Sequence, residues 1–157
     1  MTEEQRVGFT PEEIDTAAPT RSARLKWVVV VREGVPAGRA VNAVACVAAA
    51  VGAGVSGLLG PDAVDADGST HVGLPWAGCS VLAASVEQLT AIRSKAAGSE
   101  GVLVVDMPEA AQLTRVYDEY RETVAETPSA ALAPLAVALV GPRNRVDRIV
   151  GRLPLLA

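Results

Sequence analysis

Aromatic side chains are scarce in this chain: two Trp, two Tyr and one Phe in 157 residues. Surfaces that read single-stranded nucleic acid stack bases on aromatic platforms, and so few rings leave little to build one from. Histidine occurs once, as His71, with no Ser or Cys at a spacing that suggests a catalytic triad, so a hydrogen-bonded or exposed loop residue is the expectation. Cysteine occurs twice, at Cys46 and Cys79, far apart and each inside an apolar segment. With no C-x-x-C and no His/Cys ligand spacing, they predict two small buried hydrophobes, with a disulfide or reactive pair as the alternative, and no metal site. An excess of positive charge is also lacking. Fourteen Lys and Arg face 18 Asp and Glu, for a net charge of −4, and that field repels polyanions, so nucleic acid is disfavoured as a partner.

Long hydrophobic runs are missing too. The most apolar stretch, from Ala40 to Val55, falls short of the ~20 residues needed to cross a bilayer and is built from Ala, Val and Gly. It reads as a core helix, with no membrane involvement. The opening residues "MTEEQRVGFTPEEIDTAAP" lack the basic start and apolar core of a signal peptide, which predicts a cytoplasmic protein. The glycines after the first strand, Gly34 and Gly38, make no G-x-G-x-x-G, and G-x-x-x-x-G-K-[ST] does not occur, so no nucleotide site and no cofactor is expected.

What is present is aliphatic. Half of the residues are hydrophobic, mostly Ala, Val and Leu, and a chain of this length buries roughly two-thirds of its unfolded surface in one domain. Residues 1–24 read as an appendage and linker, in which Thr10-Pro11-Glu12-Glu13 supplies a helix start. The single domain follows over 25–157. Lys26 to Arg32, "KWVVVVR", shows no polar alternation, the mark of a strand covered on both faces. Gly34, Pro36 and Gly38 break it, and a helix runs from Arg39 to the glycines at 52 and 54. One side of that helix carries Val41, Val44, Val47, Val51 and Val55; the other carries Arg39, Asn42, Cys46, Ala49, Ala50 and Ala53. A helix apolar all round predicts burial on both sides, the alanine side against a closely approaching helix, ligand or second subunit.

Asp67-Gly68 signals a hairpin. Gly78 to Ala83 reads as a strand, Ser85 caps a helix ending at Gly98, and "GVLVVDM" is a buried strand finishing at Asp106. A longer helix follows Pro108, with Leu113, Val116, Tyr117, Tyr120 and Val124 on its apolar side and Arg115 on its polar side. Leu135 to Val140 forms the last strand, and a short amphipathic helix carries Val146, Ile149 and Val150. Strands alternating with helices predict an α/β fold, a three-layer α/β/α domain on a mixed, mostly parallel sheet.

The segments "VVVVREGVPAGRAVNAVACVAAAVGA", "VEQLTAIRSKA", "VLVVDMPEAAQLTRVYDEY" and "LAVALVGPRNRVDRIVGRLPLL" together resemble the bacterial domain-of-unknown-function family two thousand, over roughly Lys26 to Leu156. That family is similar in fold to the type 2 peptidyl-tRNA hydrolases. The hydrolases follow the turn glycine with lysines and carry a Gln-Cys-Ser-His run in the helix. Here Arg39 follows Gly38, Val41 takes the place of the second lysine, and Ala45-Cys46-Val47-Ala48 stands where the run belongs, keeping only the cysteine. Asp106 matches the hydrolase Asp, Ala110 replaces a Thr, and Gln112 is displaced by one residue. The resemblance thus implies a hydrolase-like fold with a degenerate active site. Whether the chain is an enzyme at all stays open; if it is, a hydrolase-like one is implied.

Parallel α/β sheets bind ligands at the carboxyl ends of their strands, which selects the turn at Val35 to Arg39 and the end of the Val102–Asp106 strand. Arg39 beside free helix N–H groups suits a small anionic ligand. Asp106 is then a general base or orienter, or simply the ion-pair partner of Arg39. Gly38, Asn42, Cys46, Glu109 and Gln112 line the same cleft, with backbone capping for Asn42 and solvated positions for Glu109 and Gln112 as the plainer readings. Thr114 is assigned a local backbone bond. Trp76 anchors either core or interface. Arg143, Arg145, Arg148 and Arg152 form a basic cluster that a solvated helix face explains without a phosphate partner. Three functions follow: a small-anion site at Arg39 and Asp106, a non-catalytic homodimeric interaction module joined through apolar surface, and retained peptidyl-tRNA hydrolysis.

Overall fold

A computed structural model describes residues 6–157. Its frame is set by two long apolar runs. The first, β1 (Leu25–Arg32), holds Val28, Val29, Val30 and Val31 at 0% exposure, each contributing roughly 1.5–3 kcal/mol by burial. The second, β6 (Pro134–Pro142), is buried from Pro134 to Gly141. These two pair antiparallel from Leu25 opposite Pro142 to Val31 opposite Ala136. Strand β4 (Ser80–Ala84) pairs parallel to β1, and β5 (Leu103–Pro108) pairs antiparallel to β6. The resulting order is β4-β1-β6-β5.

Side-chain alternation divides the interior into two cores. On one face Val29, Val31, Ala136, Ala138 and Val140 pack against α1 (Ala37–Gly54) through Ala40, Ala43, Val47 and Val51. On the other, Val28, Val30, Val137 and Leu139 pack against α2 (Val86–Ala97) and α5 (Arg143–Val150) through Leu89, Ile92, Ala96, Val146 and Val150. Helices on both faces of one sheet give three layers.

The sheet is mixed, with one parallel ladder and two antiparallel ones, so the expectation of a mostly parallel sheet is corrected. Strands β1, β4 and β5 share a direction, as helix-linked strands should; β6 alone is reversed, and it lies between β1 and β5. The cause lies in the connection before it. The expected long helix after Pro108 is two pieces, α3 (Ala110–Leu113) and α4 (Tyr117–Glu126), and neither has a fully buried residue. A connection that does not cross the sheet returns its strand beside the previous one, antiparallel. For the same reason β5 is an edge strand with mostly half-buried residues, where a fully buried strand was expected.

Around this frame, Gly34 takes φ +76° in the turn leaving β1, a left-handed conformation that favours glycine. The predicted hairpin forms as β2 (Ala63–Val64) and β3 (Thr70–His71), with Gly68 at φ +86°. The segment before β1 docks on the body: Val7 and Phe9 join the α1-side core, and the Phe9 ring stands 4.7 Å from Trp76. Trp76 is therefore a packing residue, its Nε1 donating to the Gly57 carbonyl at 2.8 Å. The segment after α5 lies along the free edge of β4, with an isolated antiparallel bridge from Leu155 to Leu82.

The expected burial of the cysteines is overturned, while the alanine side of α1, expected to meet a helix, a ligand or a second subunit, is covered by no helix among the described residues. Only one side of α1 is covered; Val41 is 68% exposed, and Asn42, Ala45, Cys46, Ala49, Ala50, Gly52 and Ala53 are exposed as well. The helix is long and apolar enough to cross a membrane by length and composition, yet Val47 and Val51, with Val55 at its end, are sheet-packed core. Cys46 and Cys79 are free and exposed, not buried. Periodicity identifies which residues share a face; it does not reveal that the outer face has no neighbour within the chain.

Candidate functional site

Along one side of α1 runs a groove whose far wall is α3 and the segment leading into α4. At its first end lie Gly38, Arg39, Asn42, Ala111, Gln112 and Leu113. Gln112 ties this end together: the Arg39 Nε donates to its Oε1 at 2.8 Å, and its Nε2 donates to the Arg39 carbonyl at 2.9 Å and to the Asn42 Oδ1 at 3.1 Å. The proximity of Arg39, Asn42 and Gln112 read from sequence thus exists, and an amide–guanidinium network clamps α3 to α1.

Beyond Ala111 the groove opens to a cavity of about 500 Å³, reaching Cys46, Val47, Val105, Met107 and the mouth residues Arg115, Tyr117 and Tyr120. Thr114 and Val116 flanking Arg115 have extended backbones, with φ −102° and −115°. That extension separates α3 from α4. It is stabilised at one end by the Thr114 hydroxyl, which donates to the Ala110 carbonyl at 2.9 Å, the local bond expected of it. The two tyrosine rings tilt against one another with centroids 5.5 Å apart. Burial pushes the Tyr120 phenol up, helped by the nearby charge of Asp106 and by Tyr117, so its proton is retained and the hydroxyl is a donor at neutral pH. Arg115 makes no ion pair among the described residues.

Asp106 does not pair with Arg39. Its neighbours Val105 and Met107 face the α1 core while Val104 faces the other, and alternation sends the Asp106 carboxylate to the α2 side. There it accepts from the Arg93 Nε at 3.3 Å, with its side chain 16% exposed. The expected Arg39–Asp106 pair is therefore replaced by Arg93–Asp106, while Asp106 also lines the groove cavity. Glu109 also lies apart from the Arg39 network: its carboxylate is 3.5 Å from Arg32, whose guanidinium also donates to the Ala133 and Pro134 carbonyls. Of the sequence-selected residues, Gly38, Arg39, Asn42, Cys46, Asp106 and Gln112 share the groove, and Glu109 does not.

Sequence reasoning missed Arg115, Tyr117 and Tyr120 as groove residues because it ran one helix through them. A signal was present. Thr114 and Val116 are β-branched residues that restrict χ1 and weaken a helix, set between two better helix-forming stretches. Elsewhere, His71 sits in the hairpin with Nε2 3.1 Å from Asp65, and no group of three or more metal-ligating side chains occurs among the described residues. The basic cluster is largely occupied: Arg143, Arg145 and Arg148 donate to the carbonyls of Ala23, Glu100 and Asn144.

No curated protein matches this chain. A solved structure of a protein of unknown function from Agrobacterium tumefaciens is similar in fold, with a TM-score of 0.76 at 19% identity, over 85% of this chain and 98% of that one. The family described as "Protein of unknown function (DUF2000)" matches residues 25–157, and the chain belongs to that family.

Proposed function

We propose that the groove between α1 and the α3–α4 segment binds a small molecule with an anionic head and an apolar body. The observation that carries this reading is Arg115, a cation without an ion-pair partner among the described residues, at the mouth of a cavity lined by Val47, Val105, Met107 and Val116. Ligand pockets combine an apolar lining with a few placed polar groups, and a guanidinium gives a planar fork for carboxylate or phosphate. Tyr117 and Tyr120 add hydroxyl donors and ring faces. Asp106 lines the same cavity, and its pairing with Arg93 at 3.3 Å reduces its repulsion of an anionic head. The Arg39–Gln112–Asn42 network holds the wall in place, a positioning role in keeping with the shared cleft expected of those residues.

Peptidyl-tRNA hydrolysis draws no comparable support. The net charge of −4 opposes a polyanion, and Ala45-Cys46-Val47-Ala48 supplies no polar relay. The test is titration with phenyl phosphate, benzoate and inorganic phosphate, followed by calorimetry and melting temperature. Phenyl phosphate is expected to bind more tightly than inorganic phosphate, and Arg115→Ala to weaken it by roughly tenfold or more, the worth of a charge-assisted pair. Equal affinity of Arg115→Ala and the parent chain removes the reading.

A further inference from the structure

Strand β5 pairs on one side only, with β6, and the groove runs along its open side. Which of its peptide groups are free follows from the register. The Glu33 amide donates to the Ala84 carbonyl of β4, so alternation turns the main-chain N–H and C=O groups of Val29 and Val31 toward β4 and those of Val28 and Val30 toward β6. Val28 and Val30 lie opposite Leu139 and Val137, which leaves Ala136, Ala138 and Val140 to bond β5. These three lie opposite Met107, Val105 and Leu103. Between them, Val104 and Asp106 turn their N–H and C=O groups outward. The register shift of this ladder falls between Met107 and Pro108, past both residues. No backbone hydrogen bond from outside the sheet reaches either of them among the described residues.

The groove meets this edge at Asp106. Val105, Asp106 and Met107 line the cavity in succession, although successive side chains of a strand point to opposite faces. A cavity touched by all three lies along the edge of the strand. With its carboxylate bonded to Arg93, Asp106 offers that cavity an unpaired N–H and an unpaired C=O. Val104 does not line it, so one donor and acceptor pair is available. An exposed edge of this kind takes an extended peptide, main-chain bonds giving affinity and alternate side-chain positions giving selectivity. Aliphatic Val47, Val105 and Met107 stand around the pair, and Arg115, without an ion-pair partner among the described residues, stands at the mouth.

We infer that the groove takes the carboxyl terminus of a peptide, which adds as a short strand to β5 at Asp106, sets an apolar side chain against Val47, Val105 and Met107, and brings its carboxylate to Arg115. The inference rests on the anionic-head reading above and names the body: the N–H and C=O of one peptide residue match those of Asp106, as in an antiparallel pair. A cavity of about 500 Å³ is of the size that holds small ligands, so it takes the last few residues and not a long strand. The opposite edge of the sheet shows the same chemistry within the chain, where Pro154 and Leu156 make main-chain bonds to Ala83 and Val81 of β4.

The experiment is calorimetry of the full chain with acetyl-Ala-Ala-Leu. The free acid is expected to bind roughly tenfold or more tightly than the carboxamide, a difference that Arg115→Ala abolishes. Replacing the amide N–H groups of the peptide one at a time by ester oxygen removes a donor at nearly constant shape. One replacement is expected to weaken binding roughly threefold to tenfold and its neighbour to leave it unchanged, since adjacent N–H groups of a strand point opposite ways. Amide exchange reads the protein side: Asp106 is expected to exchange faster than Val105 and Met107 in the free chain and to slow when the peptide binds. No binding of the tripeptide, or indifference to every ester replacement, with phenyl phosphate still held by Arg115, overturns strand addition and leaves the anionic-head reading standing. Equal affinity for acetyl-leucine and the tripeptide overturns the peptide and makes the ligand an acylated amino acid. Failure of Arg115→Ala to weaken any of these ligands removes both readings.

Discussion

Glu13 and Arg24 fasten the N-terminal segment to the sheet. The Arg24 guanidinium donates to both Glu13 carboxylate oxygens and to the Gly8 carbonyl, while the Thr10 amide donates to Glu13 Oε2 at 2.8 Å. The hydrogen bond from Arg24 and then that from Thr10 hold the Glu13 carboxyl at about 2, below its ordinary range. A depressed acid contributes stability that is fully present above its unfolded pKa and is lost as pH falls toward the folded value. Glu13→Gln is therefore expected to melt earlier than the parent at pH 7, with the gap closing between about pH 4.5 and pH 2. Thermal melts of both chains across that range decide it; a gap that persists at pH 2 sinks the assignment. The effect is small, since the pair is exposed and screened by salt.

At the scale of elements, the two edges of the sheet are treated differently. Strand β4 is capped by the chain end, where the Ala83 amide donates to the Pro154 carbonyl at 2.9 Å and the Leu156 amide to the Val81 carbonyl at 3.0 Å. An uncovered edge is a template for pairing with other chains. Removal of residues 153–157 is expected to leave a folded core that aggregates with time and concentration, read as rising light scatter at unchanged far-ultraviolet circular dichroism. A truncated chain that stays clear at high concentration contradicts the capping role. Residue types at 153–157, Leu-Pro-Leu-Leu-Ala, carry no strand alternation, so this pairing is set by the edge it meets and not by its own pattern.

At the scale of the molecule, β1 and β6 were legible as strands because unbroken aliphatic runs bounded by Gly and Pro have few alternatives. The helices α1, α2 and α5 were legible from their periods and caps, Ser85 above all, whose Oγ accepts from the Gln88 amide at 3.2 Å. Sheet direction was not, because it depends on whether the β5–β6 connection packs on the sheet, a tertiary fact. The candidate site was half legible: Arg39, Asn42 and Gln112 meet as expected, whereas the Asp106 orientation follows from strand register, which one residue of slip inverts. Arg115 was hidden by the unseen break between α3 and α4.

That break makes the molecule uneven in stability. Opening free energies follow burial and backbone pairing, and the extremes here are far apart. Val28 to Val31 and Ala136 to Leu139 are fully buried in paired strands, while α4 has no buried residue and follows α3 through Thr114, Arg115 and Val116, the first and last of them extended. Amide exchange in β1 and β6 is expected to require global unfolding. Exchange in α4 is expected to proceed by local opening, faster by roughly two orders of magnitude or more, since each ~1.4 kcal/mol of lower opening cost is tenfold. Tyr117 and Tyr120 make α4 one wall of the groove, so a ligand held by Arg115 must stabilise it. Phenyl phosphate should therefore slow exchange at Tyr117–Glu126 and leave β1 unchanged, because binding to the native state slows only those openings that release the ligand. Uniform protection of α4 and β1 in the free protein, or slowing confined to β1, removes the link between this helix and the groove.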